Sequence, residues 1–294
     1  MYSIIIPAHN EESVIARCIR AIISGAAPGE LEVIVACNGC TDRTAEIARE
    51  FGDPVRVLEI KTPSKVAALN AADAAATGFP RFYIDADVVL DLESIRRMAA
   101  ALDAGEGLAA WPEPVTDLSG CSWPVRAFYA VWQALPYNRD GGRVGAGVYA
   151  LSREGRARFD RFPDVINDDR FVRSQFAPTE RITPEGTSSR VEAPRTLASL
   201  VRVKTRVRVG QYQLRRMLAD KPVTEPKSLG PILAVFLRRP YLLACLPVYV
   251  GVTLWVKMRA RAAVRNVDSV SWSQDRSTRM AACGVHPEQL TIDG

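Results

Sequence analysis

Residues 82–90 read FYIDADVVL, an apolar run that ends by presenting two carboxylates, Asp85 and Asp87, on alternate positions. A short strand that is apolar throughout and polar only at its end belongs in a parallel sheet covered on both faces. Reading towards the N-terminus finds three companions. Ser3 to Pro7 (SIIIP), Leu31 to Ala36 and Val55 to Ile60 are strand-like. Between them lie helical patterns through Val14 to Ile23, Arg43 to Phe51 and Ser64 to Ala76, with Thr41 or Asp42 as the N-cap of the second. Alternation of this kind predicts an α/β fold with a mostly parallel sheet and helices on both faces. In such sheets ligands bind beyond the carboxyl ends of the strands. The polar clusters Pro7 to Glu12, Asn38 to Asp42 and Asp85 to Asp87 should therefore meet in one crevice.

The remaining composition narrows the partners. The chain has 294 residues, is 48% hydrophobic and 24% charged, and carries a formal net charge of +5, which is a globular composition. The cations concentrate in Arg190 to Arg216, where no acid follows Glu192 until Asp220. Such a block attracts phosphate, but no nucleic-acid-binding signature accompanies it, so no nucleic-acid partner is expected. Cys37 and Cys40 form a lone CxxC; with His9 and His286 as the two histidines, tetrahedral zinc lacks ligands. Reduced thiols in a cytoplasmic protein are the simpler account, and the N-terminus has no charged and apolar leader pattern.

Two carboxylates at a strand end repel one another unless a cation or proton lies between them. The inert alternative is that they open a loop and cap the helix after Leu92. A hard divalent ion with oxygen ligands, Mn2+ or Mg2+, relieves the repulsion, which makes Asp85 and Asp87 the candidate metal ligands. DADVV is similar to the signature of haloacid-dehalogenase-like phosphohydrolases, with Asp85 as nucleophile. That signature normally lies on the first strand, however, and three strands precede it here.

The four segments SIIIPAHNEE (3–12), VACNGCTDRTAEIA (35–48), KVAALNAA (65–72) and YIDADVV (83–89), in this order, closely resemble the N-terminal half of family-2 inverting glycosyltransferases of the GT-A fold, in particular membrane-associated bacterial members. The resemblance implies a GT-A nucleotide-diphospho-sugar transferase fold and transfer of a sugar, with inversion and by metal-dependent single displacement, from a nucleotide-diphosphate sugar to an acceptor hydroxyl. It places Pro7, Ala8, Glu11, Asn38, Asp42, Lys65 and Asp85 around the donor, with Lys65 near the phosphates, and Asp87 with Asp85 on the metal. It also implies a general base in INDDRFVRSQF (166–176), with Asp168 and Asp169 as candidates. Asp169 is the preferred base, and Asp168 is expected to cap the helix that starts there. Asn38 stands where many members have Asp, and Gln213 to Met217 only partly echoes the QxxRW motif. A non-catalytic nucleotide-sugar-binding module is the remaining alternative.

The expected organisation is a catalytic domain over 1–200, with a nucleotide-sugar half (1–100) and an acceptor half (101–200). A basic segment (201–228), an apolar and basic helical region (229–265) and a polar tail (266–294) come after it. GGRVGAGVYALSREG (141–155) reads as a loop entering a strand rather than a dinucleotide fingerprint. VRVKTRVRV (201–209) alternates like a strand, whereas the resemblance favours a helix. Leu229 to Leu237 and Tyr241 to Val256 are apolar and flanked by cations; the longer run has 16 residues, short of the ~20 that span a bilayer. An interfacial or re-entrant helical hairpin on the inner face of the cell membrane is the expectation, with a pair of core helices as the inert alternative, and the acceptor it suggests is a lipid or lipid-linked one.

Overall fold

The computed structural model describes residues 1–136, 147–218 and 229–264. Strand β1 (Tyr2–Ala8) places Ile4, Ile6 and Ala8 in one core and Ile5 in another. This is the two-residue period of a strand buried on both faces. The chain continues through α1 (Ile15–Ile23), β2 (Leu31–Asn38), α2 (Thr44–Arg49), β3 (Val55–Ile60), α3 (Lys65–Ala75) and β4 (Arg81–Ile84). Then come β5 (Val89–Leu90), α4 (Leu92–Asp103), β6 (Ala109–Ala110), β7 (Glu113–Asp117), α5 (Trp123–Ala134) and β8 (Val148–Leu151). The last part comprises α6 (Arg153–Arg156), α7 (Asp168–Ser174), β9 (Arg181–Ile182), β10 (Ser188–Glu192), α8 (Leu197–Met217), α9 (Leu229–Arg238) and α10 (Leu246–Val264).

Seven strands form one sheet in the order β3-β2-β1-β4-β8-β6-β9. All its pairings are parallel except the two made by β8, which runs against β4 and β6. A smaller sheet, β5-β10-β7, lies beside it. Helices α1, α2 and α4 cover one face through Ile15, Ile19, Ala48, Ile95 and Met98. Helices α3 and α7 cover the other through Ala68, Leu69, Phe171 and Val172. β1 lies between β2 and β4, so the winding direction reverses there and a crevice opens at the carboxyl ends of these three strands.

The alternating VRVKTRVRV segment is helical. It lies inside α8, whose N-cap Thr196 accepts a hydrogen bond from the Ser199 amide. Helical spacing puts Leu200, Val201, Val209 and Leu214 on the buried side, and that burial overrides the strand-like alternation. α8 runs across the expected boundary at residue 200.

The apolar C-terminal runs also fold as helices, but α10 is not free-standing. Val252 and Val256 join a third core with Val125, Phe128, Tyr129, Leu200 and Val201 from α5 and α8. None of the described helices is long and apolar enough to cross a membrane. The expected tail (266–294) and the loop 141–146 lie outside the described residues.

Candidate active site

The segments that leave β1, β2 and β4 at their carboxyl ends line the crevice. Beyond β4, burial alternates: Ala86 and Val88 point into the core, while Asp85 and Asp87 remain half-exposed towards the crevice. Neither acid caps α4; Asp91 does, accepting from the Ser94 amide at 2.7 Å. The Cys18 thiol is buried on the core side, its Sγ 3.9 Å from the Asp85 carbonyl, and burial together with the charges of Asp87 and Asp85 pushes it up. Asp85 and Asp87 thus fit a hard divalent cation: two carboxylates open to the crevice, with no soft donor competing. No cluster of three or more acidic, cysteine or histidine ligands occurs among the described residues. The other ligand oxygens would come from phosphate and water.

Lys65 opens α3, which is capped by Ser64. Its ammonium lies 2.6 Å from Asp85 Oδ1 and 2.9 Å from Asp168 Oδ1. Burial works against this ammonium, yet the Asp168 and Asp85 carboxylates hold its pKa above the ordinary value. Asp168 therefore does not cap α7, contrary to expectation. The N-cap residue is Asn167, and Asp168 is turned inward to Lys65 and to the Tyr149 hydroxyl, which donates to it at 3.4 Å. Asp169, its neighbour, is less buried and accepts from the Arg170 amide at 2.7 Å. Burial and the adjacent Asp168 charge raise the Asp169 pKa to about 6.

The β1 and β2 loops interlock. Ala8 is fully buried, and its carbonyl accepts from Asn38 Nδ2 at 2.8 Å. Asn38 is equally buried, and its Oδ1 has no hydrogen-bond partner, an acceptor left for a donor from outside. The Glu11 amide donates to Thr44 Oγ1 at 2.7 Å, and the side chain of Glu11 is buried. Asp42 closes the same loop: Oδ1 accepts from the Thr44 amide and hydroxyl, and Oδ2 from the Glu12 amide. Pro7 is buried at the end of β1. The sequence-predicted residues thus fall into two groups, Pro7, Ala8, Glu11, Asn38 and Asp42 on one side and Lys65, Asp85, Asp87, Asp168 and Asp169 on the other.

Several supporting contacts are not visible in the sequence. Gly147, at φ +62°, lets β8 approach the metal-side acid; a Cβ there would lie 2.8 Å from Asp85 Oδ2. Gln213 on α8 clamps the segment before the acid pair, accepting from the Ile166 amide at 3.0 Å and donating to the Asp164 carbonyl at 3.0 Å. Gly210 makes room for Asn167, whose side chain would lie 2.6 Å from an added Cβ. On α3, Asn70 bonds both backbone groups of Phe162. Asp73 pairs with Arg81 at 2.9 Å and Arg156 at 2.6 Å and accepts from the Tyr83 hydroxyl. The signal available was the polar spacing of Asn70 and Asp73 on an otherwise apolar helix.

A reversing α/β sheet with a lysine-bridged set of acids at its switch point defines a nucleotide-sugar-transferase class of fold. The sequence agrees with it: residues 3–146, just under half of the chain, match the family described as glycosyl transferase family 2. It is 37% identical over 93 residues to the probable glycosyltransferase YdaM of Bacillus subtilis, covering 29% of this chain and 22% of that protein. It is 31% identical over 181 residues to the glycosyltransferase AglD of Haloferax volcanii, covering 57% of this chain and 28% of that one. The chain thus spans less than a third of the length of these curated relatives. Among solved structures, the mannosyltransferase PcManGT of Pyrobaculum calidifontis, in complex with GDP-Man and Mn2+, superimposes with a TM-score of 0.59 at 21% identity, covering 96% of this chain and 79% of that chain. The glucosyl-3-phosphoglycerate synthase of Mycobacterium tuberculosis gives 0.54 at 22% identity, covering 78% and 82%.

Proposed function

We propose that this protein transfers a sugar, with inversion, from a nucleotide-diphosphate sugar to an acceptor hydroxyl. The observation that carries the reading is the Lys65 ammonium set between Asp85 and Asp168, with the half-buried Asp169 next in sequence. The base and ribose of the donor lie along Pro7, Ala8, Glu11 and Asn38, where the unpartnered Asn38 Oδ1 accepts an N–H or O–H from the ligand. Asp42 holds the loop closed. The diphosphate would lie at Lys65, and Asp85 with Asp87 would hold Mn2+ or Mg2+, the former being the ion found with GDP-Man in the mannosyltransferase complex. When bound, such an ion offsets the negative charge that develops on the departing diphosphate. Lys65 adds its own charge to the same end. Asp169 takes the proton from the acceptor hydroxyl; a carboxylate with a pKa near 6 is a stronger base than an ordinary one and is still ionised at neutral pH.

The phosphohydrolase alternative makes Asp85 a nucleophile. Lys65 holds Asp85 Oδ1, and the acid follows the fourth strand rather than the first, so the geometry favours transfer. The decisive assay incubates the full chain with a panel of nucleotide sugars and Mn2+ and measures nucleoside diphosphate and inorganic phosphate separately. Release of nucleoside diphosphate alone supports transferase chemistry; inorganic phosphate supports hydrolysis, and neither product with retained binding supports the module.

We further propose that the C-terminal helices rest on an anionic lipid surface at the inner face of the membrane and that the acceptor is carried on lipid. Leu233, Leu237, Tyr241, Leu254 and Met258 are more than half exposed. Residues 229–264 contain Arg238, Arg239, Lys257, Arg259 and Arg261 and no acid. Exposed apolar side chains among cations match a headgroup and acyl boundary.

A further inference from the structure

The CxxC at the β2 exit lacks the partners for a metal site, but its placement is not inert. Cys37, the last residue but one of β2, lies on the α1 side of the sheet, in the same core as Ile6 and Ala8, and Cys40 packs against that core from the loop. Cys37 is buried, whereas Cys40 is partly exposed. The two thiols share a hydrogen bond, which pushes Cys37 up and draws Cys40 down to about 7. Cys40 also receives a hydrogen bond from the Asn10 amide and donates to the Ala8 carbonyl at 3.5 Å. Asn10 stands in the left-handed region at φ 53°, the one described non-glycine residue to do so. Ala8 is also the carbonyl that fixes Asn38. One sulfur atom therefore ties the β1 loop to the β2 loop directly behind the nucleotide side of the crevice.

We propose that Cys40 and Cys37 form a peroxide-sensitive dithiol, with Cys40 as the attacking thiol and Cys37 as the resolving one, whose disulfide loosens the nucleotide-binding loops. The ligand class is a hydroperoxide. The Cys40 thiolate attacks one peroxide oxygen; the O–O bond breaks, and the Cys40 sulfenic acid and water result once a proton is taken up. The Cys37 thiol then attacks that sulfur, the S–O bond breaks, and a second water leaves as the disulfide forms. Two thiols are oxidised and one peroxide is reduced to two waters. The acidity of Cys40 and its partial exposure favour the first step, and the existing contact with Cys37 favours the second. Disulfide formation removes the S–H donated to the Ala8 carbonyl and re-aims the Cys40 sulfur, so a tie between the β1 and β2 loops beside Asn38 is lost. A thiol reductant reverses the change.

The inference rests on the proposed donor site only for its consequence, and the test separates the two. The full chain is treated with stoichiometric hydrogen peroxide, digested with trypsin and weighed; Cys37 and Cys40 fall on one peptide between Arg20 and Arg43. A loss of two hydrogens on that peptide, reversed by dithiothreitol, is expected. Cys37→Ser should stop at a sulfenic acid trapped by dimedone, and Cys40→Ser should not react. Calorimetry with a nucleoside diphosphate and Mn2+ should show affinity falling roughly tenfold on oxidation, about one hydrogen bond's worth, and recovering on reduction. No change in that peptide at stoichiometric peroxide, or sulfenic acid on Cys37 in place of Cys40, overturns the dithiol assignment. A disulfide that leaves nucleotide affinity unchanged overturns its coupling to the loops. A reduced protein that binds no nucleotide at all counts against the donor site, while the peptide masses still decide the dithiol.

Discussion

The Lys65 ammonium lies 2.9 Å from Asp168 Oδ1 while also touching Asp85 Oδ1 at 2.6 Å. The acid at the end of β4 and the acid pair at the start of α7 are thus joined through one side chain of α3. In the proposed donor placement a diphosphate at Lys65 would compete with Asp168 for the same charge, so that donor binding and the position of α7 would share a contact.

Lys65→Met tests that contact. It removes the charge near the diphosphate and leaves Asp168, 7% exposed, without its cation. Transfer kcat/KM should fall by ~10²–10³, and stability should drop by about 3–5 kcal/mol, the cost of breaking one side of a buried pair. Steady-state kinetics and urea denaturation measure the two effects. Normal turnover in a stable Lys65→Met protein removes the lysine from the site.

Asp87→Ala addresses the metal. Asp87 is half-exposed beyond the last buried residue of β4, so the fold should tolerate the change with a shift within about 0.5 kcal/mol. Turnover should be lost and Mn2+-dependent nucleotide binding greatly weakened, because one of two carboxylate ligands is gone. Unchanged Mn2+-dependent affinity in calorimetry would take Asp87 off the metal.

Asp73→Ala should be costly although it lies outside the crevice. Asp73 is the shared anion of Arg81 and Arg156 and accepts from the Tyr83 hydroxyl. Deleting it strands two partly buried guanidinium groups, for a loss of about 3–5 kcal/mol in urea unfolding. A loss below about 1 kcal/mol would mean that the network adds no more than a surface ion pair does.

Local patterns are legible in the sequence, and long-range partners are not. The two-residue period of SIIIP and the end-loaded acids of FYIDADVV are local, and both strands and their crevice appear as expected. Asp168 escapes such a reading because its partner, Lys65, belongs to a distant helix; a cap is visible in neighbouring residues, an ion pair across the sheet is not. The Val-Arg alternation in α8 misleads in the same way, since its buried side is chosen by α5, α7 and α10. The apolar run in α10 could not reveal that Val252 and Val256 face α5 and α8 while Leu254 and Met258 stay exposed.

That split shapes the membrane test. Truncating before α9 would also strip α10 from the third core, so point substitutions on exposed positions are preferred. Leu237, 75% exposed, and Tyr241, 66% exposed, are suitable. The full chain should float with anionic liposomes, salt should weaken but not abolish the association, and Leu237→Glu with Tyr241→Glu should release it while leaving thermal stability intact. A wild-type chain that ignores anionic liposomes would return these side chains to the role of an ordinary surface.

The assignment of the base is the sharpest test of the site. The Asp169 carboxyl is raised to about 6, by burial first and by the Asp168 charge second. The ionised form is the base, so kcat/KM should rise through pH ~6 and level off above it. Stability should run the other way. The unfolded carboxyl titrates near its ordinary 3.8 and the folded one near 6, so the folded state holds its proton longer. The contribution of this group is full below the lower value and is lost as pH climbs through the upper one. Asp169→Asn removes that loss: its melting temperature should gain on the parent at pH 7.5 and match it more closely at pH 4. Transfer should fall by ~10²–10⁴ with donor affinity nearly unchanged. Asp168→Asn should instead mainly lower stability, since it takes from Lys65 one of its two carboxylate partners. If Asp169→Asn transfers sugar at a near-normal rate and Asp168→Asn is inactive with donor affinity intact, the roles are exchanged; if both remain active, the base lies elsewhere.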